Sequence, residues 1–103
     1  MQECLFCKII NKEVPVDFVY QDQHVVVFPD VNPKSRVHLL IVPTVHIKSF
    51  LDLTDKQFVV LTKLAKVVQS EIVDKNLQGG YQLVFNGGSY QHVPHLHWHL
   101  LGD

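Results

Sequence analysis

Residues 93–101 read Val-Pro-His-Leu-His-Trp-His-Leu-Leu, a strict alternation of histidine with large apolar side chains. Successive side chains of a β-strand point to opposite faces, so the alternation predicts a strand with two different faces. One face would carry the histidines and the other would pack into the core: His95, His97 and His99 on the first, Leu96, Trp98 and Leu100 on the second. Three adjacent imidazoles repel one another when protonated, so a fold has little structural use for them. The pattern therefore indicates a functional site.

Outside this stretch, the hydrophobic periodicity predicts four more strands and two helices. A capping-box pair, Thr54 and Gln57, begins a long helix over residues 54–75, and Asn76 with the following glycine pair ends it. The other expected elements are a short helix over residues 5–11 and strands over 18–20, 24–28, 37–42 and 81–85, with 94–101 as the last strand. This order predicts an α+β fold with a mainly antiparallel five-stranded sheet.

Composition limits the possible functions. A chain of 103 residues forms a single domain, residues 1–103, and 47% hydrophobic with 18% charged residues excludes a disordered chain. Nine basic against ten acidic side chains argue against nucleic acid and against a polybasic membrane anchor as partners. We find neither a run of about 18 apolar residues nor a secretory signal, so we expect a cytoplasmic protein.

Two kinds of chemistry fit a row of imidazoles on one strand. The histidines could be zinc ligands, because H-x-H on a strand suits zinc geometry. Alternatively, one imidazole is a nucleophile for phosphorus and its neighbours orient it and handle protons. Few carboxylates are close in sequence to complete a metal centre, and Asp103 is the nearest acid downstream, which favours the nucleophile without excluding the metal.

The stretch His95-Leu96-His97-Trp98-His99-Leu100-Leu101 resembles the H-φ-H-φ-H-φ-φ motif of the histidine triad family, where φ is apolar. The resemblance extends over nearly the whole chain, through residues 4–10, 13–15, 28–33 and 38–47, and is greatest to the branch that hydrolyses nucleoside phosphoramidates. It implies the histidine triad fold, with one long and one short helix, and a homodimer whose sheets join.

Members of that branch cleave a nucleotidyl bond at the α-phosphate and release a purine nucleoside monophosphate such as AMP or GMP, with no cofactor required for the chemistry. By this resemblance, His97 is the nucleophile and carries a nucleotidyl-histidine intermediate. His99 and His38 would flank the phosphate, and His95 would orient His97 or its backbone surroundings.

The same resemblance implies the nucleotide contacts. Asp30 would accept hydrogen bonds from the ribose hydroxyls, a role that suits a carboxylate. Phe28 and Val31 would contact the base, and Asn86 and Gln91 would make polar contacts to ribose or phosphate.

The chain departs from the family pattern just before the triad. His92 stands in the nucleotide site where serine or threonine is common and helps with the leaving group. Its imidazole would take over that proton transfer or change which leaving groups are accepted. Tyr90 replaces a glycine and would narrow the pocket.

Cys4 and Cys7 form a C-x-x-C pair, which occurs in both redox and metal sites. Together with His46 and His95 they give the composition of a closed Cys₂His₂ zinc site, and some relatives with this pair bind structural zinc there. The alternative is that both cysteines are small buried apolar residues and His46 caps a turn.

Three other functions remain open at this level. One is hydrolysis of dinucleoside polyphosphates by the same triad. Another is a nucleotide- or zinc-binding interaction protein whose hydrolysis is residual. The last is a metalloenzyme with zinc on the histidine row.

Overall fold

In the computed structural model, which describes residues 4–103, an antiparallel sheet separates two layers of helix and loop. The strands are β1 Tyr20–Gln21, β2 Val25–Pro29, β3 Val37–Pro43, β4 Tyr81–Val84 and β5 Trp98–Gly102, and the α-helices are α1 Leu5–Ile10 and α2 Phe58–Asp74. Their spatial order is β1-β2-β3-β5-β4, with every neighbouring pair antiparallel. The predicted α+β class with five strands, a long helix and a short helix is confirmed.

The two faces of the sheet bury different layers because side chains alternate along its central strands. One face packs on α2 through Val25, Val27, Leu39, Ile41 and Leu100. The opposite face packs on α1 through Val26, Phe28, Leu40 and Val42. No helix within residues 4–103 has the length and apolar character that crossing a bilayer would require.

Helix α2 begins and ends close to the predicted signals. The Gln57 side chain accepts a hydrogen bond from the Thr54 N–H at 3.0 Å, although residues 55–57 form a 3₁₀ turn before the α-helix. At the other end, Asn76 adopts a left-handed φ of 59°. The Leu77 N–H then donates to the Ile72 carbonyl at 2.8 Å, which closes a Schellman motif.

The histidine strand is shorter than the alternation predicts, since β5 begins at Trp98 and not at residue 94. Pro94 has no N–H to give to a sheet ladder. The next two amides bond elsewhere: His95 N–H donates to the Val93 carbonyl at 2.8 Å, and Leu96 N–H to the Ile47 carbonyl at 2.7 Å. The first part of the motif is therefore a turn, which changes where His95 points.

Glu71 is a polar residue on the buried side of α2. Its side chain is 3% exposed, and its Oε1 has no hydrogen-bond partner among the described residues. Burial raises the pKa of this carboxyl above its ordinary value. The folded state therefore favours the protonated acid, whose contribution to stability is present at low pH and is lost as pH rises through the folded pKa.

Glu71→Gln is expected to raise the free energy of unfolding at pH 7 by about 1 kcal/mol, because the amide is neutral at every pH. The gain should shrink as pH falls and the wild-type carboxyl becomes protonated. Denaturant unfolding at pH 7 and pH 4 measures both values. Glu13→Gln, at an exposed position, is the matched control, and a variant less stable than wild type at pH 7 would contradict the prediction.

Candidate active site

A cleft of about 580 Å³ opens on the α1 face of the sheet. One part of its wall is apolar and comes mainly from α1 and β2: Leu5, Phe6, Ile9, Val16, Phe28 and Val31. The other part is polar: Asp30, Asn32, Lys34, His38, Asn86, His92, His97 and His99. An apolar pocket that adjoins a group of convergent polar side chains is typical of a small-molecule site.

His97 has a ring nitrogen free for chemistry. Its Nδ1 lies 2.8 Å from the His95 carbonyl oxygen. A carbonyl only accepts, so Nδ1 carries the proton and Nε2 keeps a lone pair. Burial lowers the pKa of His97 below its ordinary value, so the ring is neutral at pH 7. The arrangement therefore presents a neutral imidazole nucleophile at the cleft.

His38, His99 and Asp30 form a hydrogen-bonded group beside it. The Lys34 backbone N–H donates to His38 Nδ1 at 3.1 Å, so the proton of His38 is on Nε2. That nitrogen lies 2.9 Å from His99 Nδ1 and 3.5 Å from Asp30 Oδ2. His99 thus accepts at Nδ1 and keeps an N–H at Nε2. Burial lowers the pKa of both rings, that of His99 to about 4.

His95 does not share the cleft with His97 and His99, which differs from the face predicted by alternation. Its side chain is fully buried. Its Nε2 donates to the Pro43 carbonyl at 2.9 Å, which leaves a lone pair on Nδ1. Burial lowers the pKa of this ring to about 4. The turn before β5 is the reason, because alternation holds only inside a paired strand.

The four residues of the predicted zinc site, Cys4, Cys7, His46 and His95, do come together, and we call them the Cys/His cluster. Their ligand atoms all lie within 4.8 Å of one another. His95 Nδ1 is 3.3 Å from Cys4 Sγ and 3.2 Å from His46 Nδ1. Burial, with the hydrogen bond to Cys4, raises the pKa of the Cys7 thiol to about 11. Two thiols and two imidazole nitrogens at this spacing fit a tetrahedral zinc ion.

Asp30 and its neighbours form the rim of the cleft. Asp30 Oδ1 accepts a hydrogen bond from the Asn32 N–H at 2.8 Å, which holds the loop after β2. Its Oδ2 faces His38 and His99. Val31 is 87% exposed whereas Phe28 is buried, so the apolar wall extends from the protein interior to the surface.

Asn86 and His92 line the cleft as expected, and Gln91 does not. The Gln91 side-chain amide donates to the Lys48 carbonyl at 2.8 Å and to the Val93 carbonyl at 3.0 Å. It therefore ties the segment that carries His92 to the loop after β3, in which Lys48 lies. Tyr90 is exposed and does not line the cleft.

Several residues that line the cleft were not identified as site residues from the sequence, and two of them contact its histidines. Lys34 resembles an ordinary surface lysine, yet it lines the cleft and its backbone fixes the tautomer of His38. Phe6 resembles a core residue, and its ring contacts His97 edge-on with centroids 4.9 Å apart. The sequence signal that could have identified Phe6 is its position between the two cysteines of the C-x-x-C pair.

Comparison with known proteins agrees with this site. A family model described as "Scavenger mRNA decapping enzyme C-term binding" matches residues 3–103. The purine nucleoside phosphoramidase of Escherichia coli K12 is 36% identical over 107 residues, which cover 98% of this chain and 87% of that protein. An uncharacterized HIT-like protein of Methanocaldococcus jannaschii is 39% identical over 100 residues, which cover 95% of this chain and 77% of that protein.

Solved structures show the same likeness. A HIT family hydrolase from Clostridium thermocellum has a TM-score of 0.95 and 36% identity, covering 100% of this chain and 92% of that chain. A histidine triad protein from Clostridium difficile has a TM-score of 0.95 and 37% identity, with the same coverage. From its sequence and its fold, this chain belongs to the histidine triad family.

Proposed function

We propose that this protein hydrolyses purine nucleoside phosphoramidates at the α-phosphate, through a nucleotidyl intermediate on His97. The observation that carries the proposal is the neutral His97 ring, whose Nδ1 is bonded to a carbonyl while its Nε2 stays free at the cleft. The similarity to the Escherichia coli purine nucleoside phosphoramidase supports the substrate class.

In the first step, His97 Nε2 forms a bond to the α-phosphorus and the phosphorus–nitrogen bond of the substrate breaks. The departing amine takes up a proton. His92 lines the same cleft and would donate it. The His95 carbonyl stabilises the charge that develops on the His97 ring through the Nδ1–H bond of 2.8 Å. Water then cleaves the phosphorus–histidine bond and releases the nucleoside monophosphate.

The oxygens of the transferring phosphoryl group need hydrogen-bond donors, and a neutral imidazole beside His97 can supply one through its N–H. The Nε2–H of His99 is such a donor, and the Lys34 side chain adds positive charge at the cleft. Asp30 would accept from the ribose hydroxyls, and the apolar wall with Phe28 and Val31 would hold the base. Asn86 would contribute a further polar contact.

A catalytic metal on the histidine row is disfavoured by the tautomer of His38. Asp30, His38 and His99 do place three donor atoms within 4.8 Å of one another. However, the Lys34 N–H occupies the lone pair of His38 Nδ1, so the nitrogen that faces the other two residues carries a proton. A metal ligand must offer a lone pair there. His99, which keeps a proton on Nε2, is instead suited to donating a hydrogen bond to phosphate.

Lys34 supports a second candidate, the hydrolysis of dinucleoside polyphosphates, since its ammonium suits additional phosphate groups. The two candidates share the intermediate on His97 and differ in the leaving group. Steady-state rates on adenosine 5′-phosphoramidate and on diadenosine tetraphosphate separate them, and we expect the phosphoramidate to have the higher kcat/KM.

Acid-free quenching followed by intact-mass analysis tests the intermediate. We expect an adduct of one AMP on the wild-type chain, mapped by peptide fragmentation to His97. His24→Asn, at an exposed position outside the cleft, should keep the adduct. Nucleotide binding with neither turnover nor adduct would instead support an interaction protein.

We also propose that the Cys/His cluster holds a structural zinc ion. The Nε2–H of His95 donates to the Pro43 carbonyl, so a lone pair on Nδ1 already faces both thiols. This is the outer hydrogen bond that commonly orients a zinc-ligating histidine. When bound, zinc would supply four coordinate bonds that join the start of α1 to the turn before β5. It would take no part in the phosphoryl transfer.

The edge of the sheet at β4 supports a homodimer. All four residues of β4 are exposed, among them Tyr81 and Leu83 at 52% and 44%. An unpaired apolar edge strand pairs readily with a second chain. We therefore propose that two β4 strands pair and join the sheets.

Leu83→Lys is expected to convert a dimer into a monomer in sedimentation equilibrium, because lysine on an edge strand opposes pairing. Leu51→Lys, at a side chain that is 93% exposed and outside β4, should leave the dimer intact. A monomeric wild-type protein would refute the proposed assembly.

A further inference from the structure

We propose that the Cys/His cluster and the nucleotide cleft are energetically coupled, with Phe6 and the main chain of His95 as the positioning elements between them. A divalent cation on the cluster would then tighten nucleotide binding, and nucleotide would tighten cation binding. The inference rests on the proposed nucleotide site and adds a means by which the protein sets the position of its nucleophile.

The first connection is a single residue that belongs to both sites. His95 directs Nδ1 into the cluster, 3.3 Å from Cys4 Sγ, and its carbonyl accepts a hydrogen bond from His97 Nδ1–H at 2.8 Å. That carbonyl determines the tautomer and the direction of the nucleophile. Any movement of the His95 main chain therefore moves the acceptor that aims His97.

The second connection is Phe6, which lies in the first turn of α1 and between Cys4 and Cys7 in sequence. Its buried ring contacts His97 with centroids 4.9 Å apart and His95 at 5.9 Å, and it also lines the cleft. Cys4 Sγ accepts the Cys7 N–H at 3.3 Å and so caps the turn that carries Phe6. The thiol that faces His95 thus also holds the ring that packs on His97.

Without a cation, the four ligand atoms make only weak contacts with one another. A thiol is a weak hydrogen-bond donor, and the Nδ1 atoms of His46 and His95 face each other at 3.2 Å. Four coordinate bonds would fix the cysteine turn and the His95 main chain together. A cleft wall that is already ordered binds its ligand with a smaller entropic cost, so occupancy of one site favours the other.

Equilibrium coupling is reciprocal, which supplies a test that does not depend on turnover. Cobalt(II) is titrated into the reduced full-length protein, and its visible absorption measures cation affinity with and without saturating AMP. We expect AMP to lower the Kd for cobalt by about fivefold or more. The Kd for AMP should fall by the same factor when cobalt is bound.

Two phenylalanine variants test the route. Phe6→Leu should bring the coupling factor close to one while the cobalt spectrum keeps its tetrahedral form. Phe18→Leu is the matched control, because Phe18 packs on the same partner, Phe28, at 6.2 Å, but does not line the cleft. It should keep the full coupling factor.

The wild-type measurement decides the proposal even if a variant fails to fold. Equal cobalt affinity with and without AMP, or no cobalt binding at all, overturns it. Full coupling in Phe6→Leu overturns the role of Phe6. Reciprocal coupling in a protein that does not hydrolyse phosphoramidate would support this inference and refute the proposed function, so the two failures are distinguishable.

Discussion

His97→Asn is expected to lower kcat on adenosine 5′-phosphoramidate by at least about 10³-fold. The amide has no basic nitrogen to attack phosphorus, and the free Nε2 of His97 is the nucleophilic atom of the proposed mechanism. AMP should still bind with a Kd within a few-fold of wild type, because the apolar wall and Asp30 are unchanged. Stopped assays of AMP release and isothermal titration with AMP measure the two quantities.

The pattern of the loss matters as much as its size. A fall in kcat with nearly constant AMP affinity indicates an interaction made in the reaction and not in binding. His24→Asn introduces the same change at an exposed position and should retain wild-type rates. If His97→Asn kept a tenth or more of the wild-type kcat, the nucleotidyl-histidine mechanism would be refuted, whatever the affinity for AMP.

Removal of metal is expected to lower the free energy of unfolding of the zinc-loaded protein by about 4 kcal/mol, since a ligand at roughly 1,000 times its Kd stabilises a fold by that amount. For a domain of this size, the Tm should fall by about 15 °C or more. The cause is the position of the cluster, which ties the start of α1 to buried His95. Differential scanning calorimetry with and without a chelator, at constant protein concentration, measures the change.

Variants identify the ligands responsible. Cys7→Ser should have the low Tm of the chelated protein and should not respond to chelator. His92→Ala replaces an exposed histidine outside the cluster and should keep the full response. A wild-type Tm that is unchanged by chelator, with no zinc found by elemental analysis, would contradict the proposed metal site.

Local pattern was enough for much of the fold. The apolar stripe over residues 54–75 and the left-handed stop at Asn76 predicted α2 to within a few residues. Continuous apolar runs predicted β2 and β3 as strands, though they did not reveal the order of the strands in the sheet. That order depends on long-range pairing, such as β3 with β5, which no local pattern contains.

The residues of the candidate site were likewise predicted only in part from the sequence. His97 and His99 were selected by the alternation and His38 by the resemblance to the family, and all three line one cleft. Gln91 was selected by the resemblance alone and lies outside the cleft, because its amide donates to two backbone carbonyls. A side chain's hydrogen-bond partners depend on which segments of the same chain pack around it, and a local sequence pattern does not indicate them.

By itself, the sequence determined which chemistry this chain carries: an alternating row of histidines, a carboxylate before the second long strand, and a cysteine pair at the amino end. Alternation put all three histidines of that row on one face, and the tertiary structure separated His95 from the other two. The amides at the start of the histidine stretch bond to Val93 and Ile47 and not to a neighbouring strand, so His95 turns into the core toward the cysteines while His97 and His99 face the cleft. Strand alternation is a property of paired backbone, and where pairing begins depends on contacts between residues far apart in the chain.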